Sequence, residues 1–342
     1  MFGSRKNVLA VDVGSSAVKI LEVHRDRDDL VITGFSRVDV ASDTNRADAI
    51  GECLKRGKFG GKRTVTAVSG KAVITRFLTM VRMSHEELQR AVAFEAEKYI
   101  PWPIEESQID AVSLGDVQSQ DPNAPPEMRV LVVAAKKSHV TDHAQMMVDH
   151  GLLPLAIDVD ALALATAFEI HGRVTGSPPP QGAIALVDIG SSKTIVNILS
   201  GGTTRFVREV DMAGSDMTQA VSRKLAVEPF EAERIKCGPG DRAADIEDAI
   251  GPTLSDLGNE ISLSLDYFEH QGEGTVEMVY LSGGGSLAPT VAESLERATG
   301  KKTQTWNPIE GLKVHGSRLD VDELNARAAS LAVAVGLAAR EV

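Results

Sequence analysis

One short motif occurs twice in the chain, and this duplication constrains the fold more than any other feature of the sequence. Each copy is an apolar run, then Asp-x-Gly-Ser-Ser, then a second apolar run; the copies span Leu9–Leu21 and Leu186–Leu199. Two β-branched runs on either side of a glycine-containing break predict a β-hairpin. Because internal duplication is a property of the whole fold, we expect two related halves.

The loops of the two hairpins have the residues that phosphate binding requires. A glycine permits a sharp turn without steric cost, so that successive backbone N–H groups point outward and form a nest for an anion. Asp12 and Asp188 end the first strands, where a carboxylate can hold a hydrated Mg²⁺ beside the phosphate. We expect the following backbone amides to bind phosphate oxygens: Gly14, Ser15, Ser16, Gly190, Ser191 and Ser192.

The spaced pair of hairpins resembles the phosphate-1 and phosphate-2 motifs of the actin, Hsp70 and sugar-kinase superfamily. The resemblance implies an α/β protein with the actin-like ATPase fold, built from duplicated RNase H-like domains, with ATP and Mg²⁺ as cofactors. Lys19 has the spacing of the phosphate-contacting lysine of actin-like hairpins, whereas the second copy has Ile195 at that place. The sequence leaves open whether Lys193 faces solvent or phosphate.

The order of predicted elements divides the chain into a first actin-like domain, 1–172, and a second, 173–342. An inserted subdomain interrupts the first domain at about 73–137. The final helix, predicted over Leu324–Ala339, is rich in small residues that permit close crossing, and we expect it to return as a connector between the domains.

The inserted subdomain carries the most specific resemblance. Ser84 and Glu87 fit a capping box that begins a helix, and Pro101 and Pro103 should end it. The stretch Phe94–Ile104, Phe-Glu-Ala-Glu-Lys-Tyr-Ile-Pro-Trp-Pro-Ile, looks like the inserted subdomain of the PilM family of type IV pilus assembly, a family related to the division protein FtsA. An amphipathic helix stopped by prolines explains the pattern, but not this particular string of residues.

This resemblance implies a cytoplasmic adaptor that lies at the inner membrane through its partners. The implied partner is a PilN-like inner-membrane protein, whose short cytoplasmic N-terminal peptide docks in a groove bordering the inserted subdomain. Other pilus motor or platform proteins and self-association into homo-oligomers are left open. ATP between the two domains would act as a clamp or switch, with slow hydrolysis at most.

Further site residues follow from the superfamily resemblance. Asp160, with Asp158 as the near alternative, matches the acidic residue that orients the attacking water, although an aspartate there also suits a helix N-cap. Glu233 would bind ribose hydroxyls and Lys236 would lie near the base or sugar, although two such residues on a helix are also typical of a surface pair. The glycines of two further loops complete the expected nucleotide site: Gly214, Gly283, Gly284 and Gly285.

Composition narrows the function classes. A net charge of −12 argues against a general nucleic-acid binder, which needs a basic face. No apolar run approaches about 18 residues, so we expect no direct membrane insertion. Cys53 and Cys237 are isolated and are interpreted as small core residues. A small-molecule kinase of the same superfamily and an FtsA- or MreB-like filament-forming protein are the alternative functions.

Overall fold

The protein divides into two compact units. The first consists of Met1–Ala67 and His150–Val342, and the second is Val68–Asp149, within which the predicted insertion falls. The computed structural model describes residues 7–27, 29–40, 46–117, 125–177, 180, 182–238, 240–316 and 319–340.

The first unit contains two sheets with related topology. Its six-stranded sheet has the order β14-β3-β2-β1-β4-β8 and its five-stranded sheet the order β11-β10-β9-β12-β13. The strands of the first sheet are β1 (Val8–Val13), β2 (Ala17–Asp26), β3 (Asp29–Asp39), β4 (Arg63–Val68), β8 (Leu153–Val159) and β14 (Lys313–Val314). Those of the second are β9 (Ala183–Ile189), β10 (Thr194–Ser200), β11 (Thr203–Val210), β12 (Val276–Ser282) and β13 (Lys302–Thr305).

Strand pairing confirms the duplication predicted from the two motifs. In each sheet the motif forms an antiparallel hairpin, a third strand adds antiparallel to it, and a later strand adds parallel on the other side. The register aligns the motifs as well: Asp12 lies opposite Lys19, and Asp188 lies opposite Ile195. The second half therefore lacks a cation at the position of Lys19.

Helices cover both sheets of the first unit. They are α1 (Arg46–Gly57), α4 (Asp160–Thr175), α5 (Gly214–Leu225), α6 (Pro229–Cys237), α7 (Ala243–His270), α8 (Val291–Thr299), α9 (Val321–Ala326) and α10 (Ala332–Ala339). In α7 an apolar stripe from Leu254 to Phe268 is buried in the core of the second sheet. This burial fixes the helix over the strands that carry the second phosphate motif.

The prediction of one continuous final helix over Leu324–Ala339 is wrong. The segment is α9, then a 3₁₀ turn at Ala328–Leu331, then α10. The amide of Gly283 donates to the carbonyl of Ala329 at 2.7 Å, so this carbonyl is occupied by a residue far away in the sequence. A helix can be interrupted where an outside group takes a carbonyl of its hydrogen-bond ladder.

The second unit is a three-stranded antiparallel sheet with two helices. Its strands, in the order β5-β7-β6, are β5 (Val73–Val81), β7 (Glu127–Lys136) and β6 (Ser107–Val117), and its helices are α2 (His85–Ala96) and α3 (Lys137–Asp149). The capping box is confirmed: the Ser84 amide donates to Glu87 at 2.8 Å, and the Glu87 amide donates back to Ser84 Oγ at 3.4 Å. Helix α2 ends at Ala96, before the prolines.

Candidate functional site

The loops of the two phosphate hairpins have the same geometry. The amide of Gly14 donates to the carbonyl of Ala17 at 3.0 Å, and the amide of Gly190 donates to the carbonyl of Lys193 at 3.0 Å. A Cβ at Gly14 would lie 2.8 Å from the Ala17 oxygen, and one at Gly190 would lie 2.9 Å from the Lys193 oxygen. Only glycine fits either turn, because any Cβ would collide with the carbonyl that closes it.

These turn hydrogen bonds correct the expectation that six amides are available to phosphate. The N–H groups of Gly14 and Gly190 are already engaged in closing the turns, so these glycines shape the loops and do not supply free donors. The amides of four serines donate to no acceptor in the described part of the chain, and they are the donors that an anion can use. They are Ser15, Ser16, Ser191 and Ser192.

The carboxylates of the two motifs differ in their surroundings. Lys19 Nζ lies 2.7 Å from Asp12 Oδ2, whereas Asp188 accepts a hydrogen bond from Ser282 Oγ at 2.7 Å. Burial raises the pKa of Asp188 to about 6; Ser282 and Lys19 oppose the rise, and the charges of Asp12 and Asp160 add to it. The charged groups of both halves thus lie within electrostatic range of one another.

The glycine-rich loop after β12 packs directly on the second phosphate hairpin. Gly283 has φ of +85°, and its Cβ would lie 2.3 Å from the Ile189 oxygen. A Cβ at Gly285 would lie 2.4 Å from Ile189 Cγ2, whereas one at Gly284 would meet no atom within 4 Å. Two of the three glycines are therefore required by packing, and Gly284 alone leaves an exposed, open face.

A second glycine contact joins three of the predicted motifs. A Cβ at Gly214 would lie 2.9 Å from the Gly190 oxygen, 3.6 Å from the Gly285 Cα and 3.6 Å from Lys236 Nζ. Gly214 begins α5, and its amide donates to the Gly190 carbonyl at 3.0 Å. The second phosphate loop, the glycine-rich loop and the start of α5 therefore converge on one place.

Lys236 is buried next to Gly214, where these three segments meet. Its side chain is 2% exposed, and its ammonium donates to the Gly214 carbonyl at 3.0 Å, to Thr218 Oγ1 at 2.8 Å and to Glu233 Oε2 at 2.6 Å. Three acceptors use all three protons of the ammonium. Lys236 therefore supports the Gly214 turn, and its expected position near the base or sugar stays a prediction.

Glu233 keeps a face toward solvent, with its side chain 51% exposed. Burial would raise its pKa, but Lys236 and Thr218 outweigh that effect and hold the pKa of Glu233 below its usual value. Cys237, one turn later, is exposed, with its Sγ 3.4 Å from Glu233 Oε1, so its interpretation as a core residue is wrong. Cys53 is buried, as predicted.

The two aspartates proposed to orient water have different surroundings. Asp158 is buried and paired with Arg340, whose Nε lies 2.8 Å from Oδ2, and its Oδ1 accepts from the Val159 amide at 2.8 Å. Asp158 therefore anchors the end of α10 to β8. This corrects the expectation that Asp158 could orient the attacking water in place of Asp160. Asp160, the first residue of α4, is instead paired with Lys193 at 3.0 Å.

Ser282 is the site residue that the sequence analysis missed. It ends β12, which runs parallel to β9, and the register places it beside Asp188. Because parallel neighbours end at the same edge of a sheet, a polar residue at the end of a strand is the signal that predicts this contact. The sequence leaves open whether Lys193 faces solvent or phosphate, and the structure shows its ammonium in contact with two carboxylates instead.

No three His, Cys, Asp or Glu side chains lie close enough in the described residues to hold a metal by themselves. Mg²⁺ beside a nucleotide needs only one or two carboxylates, since phosphates and water fill its other positions.

Among the described helices, none has both the length and the hydropathy that crossing a bilayer requires.

Comparison with known proteins identifies the family and the fold of the chain. A family model described as type IV pilus assembly protein PilM matches residues 10–342. The structure is similar to a PilM-PilN type IV pilus biogenesis complex, with a TM-score of 0.83 and 29% identity over 98% of this chain and 99% of that one.

Two more distant structures share the fold. Ethanolamine utilization protein EutJ from Carboxydothermus hydrogenoformans has a TM-score of 0.58 and 12% identity, over 98% of this chain and 90% of its own. MreB5 of Spiroplasma citri bound to ADP has a TM-score of 0.54 and 10% identity, over 97% of this chain and 94% of its own. The actin-like ATPase fold predicted from the paired hairpins is confirmed.

Proposed function

Because the chain belongs to the PilM family of type IV pilus assembly proteins, we propose that it is an ATP-binding adaptor of that assembly. In this proposal the nucleotide lies between the two phosphate hairpins, and a separate surface recruits the N-terminal cytoplasmic peptide of a PilN-like membrane protein. The protein then acts at the inner membrane from the cytoplasmic side through that partner.

The convergence at Gly214 is the observation that carries the nucleotide part of the proposal. The Gly214 amide donates to the Gly190 carbonyl at 3.0 Å, and a Cβ at Gly214 would lie 3.6 Å from the Gly285 Cα, so the second phosphate loop, the start of α5 and the glycine-rich loop meet there. Free amides in both hairpin loops and the Lys19 ammonium suit an anion, and two carboxylates nearby suit the metal that accompanies a triphosphate. The residues present therefore fit ATP with Mg²⁺.

Each residue then has a defined part in binding. Asp12 and Asp188 would hold hydrated Mg²⁺, which neutralises phosphate charge when bound. Lys19 would exchange its contact with Asp12 for a phosphate oxygen, since its side chain keeps access to solvent. Glu233 would bind ribose hydroxyls through its exposed face, and the open side of Gly284 would lie against the adenosine. Binding from both halves makes the nucleotide a clamp.

Replacing Gly284 by valine tests this placement. The expected result is at least tenfold weaker binding of Mg-ATP with an unchanged melting temperature of the unliganded protein, because the new side chain meets no protein atom near its Cβ but occupies the adenosine surface. Calorimetric titration and a thermal melt measure the two quantities.

The control is Gly251→Ala in α7, another glycine whose Cβ would meet no atom within 4 Å. It should bind Mg-ATP as the wild type does. Equal affinity of Gly284→Val and wild type would contradict the proposed adenosine surface, and absence of Mg-ATP binding by the folded wild type would refute the nucleotide proposal as a whole.

The second unit supplies the surface that we propose for the partner. A narrow cleft of about 10 Å³ between β5, the turn after α2 and β7 is lined by mostly apolar side chains, with one arginine among them. An extended peptide that adds to the edge of β5 could place one small side chain over it. The lining residues are Ile74, Arg76, Leu78, Ala96, Tyr99, Ile100, Val132 and Ala134.

The two edges of this sheet differ in how well they are protected from pairing with another strand. Edge strand β6 has an irregular register between Ser113 and Gly115 and carries the acidic residues Asp110 and Asp116. Edge strand β5 pairs with β7 in unbroken register over nine residues, with Arg76 as its single charged side chain. Bulges and charges are the usual means of blocking an edge, so β5 is the edge suited to receive a peptide strand.

Replacing Tyr99 by aspartate tests the cleft, because Tyr99 lines it and is 44% exposed. We expect at least tenfold weaker binding of a fluorescent N-terminal peptide of a PilN-type protein, measured by anisotropy. Phe94→Asp is the matched control, since Phe94 is an aromatic side chain of the neighbouring helix, 79% exposed and outside the cleft. Equal losses in both variants would argue for a different surface.

A further inference from the structure

Lys193 makes contacts that phosphate binding does not explain. It ends the loop of the second hairpin, and its ammonium lies 3.0 Å from Asp160 Oδ2 and 3.1 Å from Glu209 Oε1. Asp160 is the first residue of α4, and Glu209 lies in β11. A residue of the phosphate loop is thereby tied to the one remaining candidate for orienting water.

The ion pairs of Lys193 with Asp160 and Glu209 are partly shielded from water, and this shielding strengthens the attraction between the charges. The side chains of Lys193, Asp160 and Glu209 are 22%, 19% and 28% exposed. Burial alone would lower the pKa of Lys193, but the two carboxylates outweigh burial and raise it. The ammonium therefore stays charged at neutral pH, and its contact with Asp160 is a charge-assisted hydrogen bond.

Hydrolysis would require that the Asp160 carboxylate be free to turn an oxygen toward the attacking water. The oxygen atom of water attacks the γ-phosphorus as the bond from that phosphorus to the bridging oxygen breaks, and ADP leaves with the bonding electrons. The proton of the attacking water passes to a carboxylate oxygen and then to phosphate. Lys193 donates to Asp160 Oδ2 at 3.0 Å and to Glu209 Oε1 at 3.1 Å, and the two contacts together fix the orientation of the Asp160 carboxylate.

We propose that Lys193 is a positioning residue that keeps Asp160 from orienting water, so that the site binds ATP but hydrolyses it slowly. This inference rests on the proposed nucleotide function and adds the regulation of that site. Any event that draws Lys193 away from Asp160 would switch hydrolysis on.

The test compares phosphate release and Mg-ATP affinity in four variants and the wild type. Lys193→Met should raise phosphate release at saturating ATP at least fivefold, with affinity within about threefold of wild type. Lys193→Arg retains the charge and the donors, and should release phosphate at the wild-type rate. Adding Asp160→Asn to Lys193→Met should remove the gain, because the gain acts through Asp160.

Lys301→Met is the matched control for loss of a half-buried lysine. Lys301 lies 2.8 Å from Glu269, with exposures of 22% and 26%, close to those of the Lys193 pair. It should leave phosphate release unchanged. A rise in this variant equal to that of Lys193→Met would assign the effect to general loosening and overturn the proposal.

A second readout needs no nucleotide. If Lys193 and Asp160 form the pair seen here, their substitutions are non-additive: Lys193→Met with Asp160→Asn should have a urea midpoint no lower than that of Lys193→Met alone. A midpoint of the double variant clearly below that of Lys193→Met would overturn the pairing. Mg-ATP binding without any rise in phosphate release would overturn this inference alone, whereas a folded wild type that binds no Mg-ATP would overturn the proposed function and this inference together.

Discussion

Replacing Asp188 by asparagine is expected to weaken Mg-ATP binding at least 100-fold while stabilising the unliganded protein. The neutral amide keeps the shape and can still accept the hydrogen bond from Ser282 Oγ, seen at 2.7 Å. It cannot supply the negative charge that the proposed Mg²⁺ requires. A hundredfold loss corresponds to about 2.7 kcal/mol of binding free energy.

The gain in stability has a definite dependence on pH. Burial raises the pKa of Asp188 to about 6, from an ordinary value of 3.8. Between these values the folded state binds more protons than the unfolded state, so the free energy of unfolding falls as pH rises. Two pKa units correspond to about 3 kcal/mol at most, and the true effect is smaller because Asp188 keeps contact with water.

The measurement is the urea midpoint of wild type and Asp188→Asn at pH 5 and pH 8 without nucleotide. The variant should exceed the wild type at pH 8, and the difference should shrink at pH 5. Asp248→Asn is the control, because Asp248 is paired with Lys224 at the far end of α5 from the site. A variant that is less stable than wild type at pH 8 would contradict the buried environment of Asp188.

The parts of the site that depend on local backbone chemistry were predictable from the sequence. An Asp-x-Gly-Ser-Ser break between two β-branched runs fixes a hairpin, and its repetition predicts two related sheets. Capping by Ser84 and Glu87 was predictable for the same reason, because the signal lies within four residues. The family was predictable from the string of residues Phe94–Ile104, through its resemblance to known sequences and not through local backbone chemistry.

The parts that depend on partners distant in the sequence were not predictable. Nothing near Asp158 indicates that Arg340 neutralises it, and nothing near Lys236 indicates that Thr218 and the Gly214 carbonyl use its protons. In both cases the residue type fits a ligand contact, and only the three-dimensional environment shows an internal one. The direction of an ionisable side chain depends on its packing, for which a single sequence has no periodic signal.

The interruption of the final helix has the same origin. The sequence from Leu324 to Ala339 has good helix-forming residues throughout, so propensity favours one helix. The amide of Gly283 takes the Ala329 carbonyl, and the chain forms a 3₁₀ turn there. This contact also links the glycine-rich loop of the proposed nucleotide site to the segment that leads into α10.

Gly336→Ala is therefore expected to be among the most destabilising single-methyl changes in the first unit. Gly336 lies in the buried helix α10, and a Cβ there would lie 1.8 Å from the Ala163 oxygen of α4. Backbone cannot move aside as a flexible side chain does, so the two helices must separate. Overpacking typically costs about 1–3 kcal/mol, and a backbone contact this short places Gly336→Ala at the upper end of that range.

The same substitution at Gly251 should cost far less. A Cβ at Gly251 meets no atom within 4 Å beyond its chain neighbours, and the helical preference for alanine over glycine, about 0.5–1 kcal/mol, is opposed by the steric effect of Pro252 on the residue before it. Urea midpoints of both variants measure the contrast. Because α4 begins at Asp160 and α10 follows the turn bonded to Gly283, Gly336→Ala should also weaken Mg-ATP binding. Unchanged stability in Gly336→Ala would mean that the two helices do not cross this closely, and that the connection between their crossing and the nucleotide loops is absent.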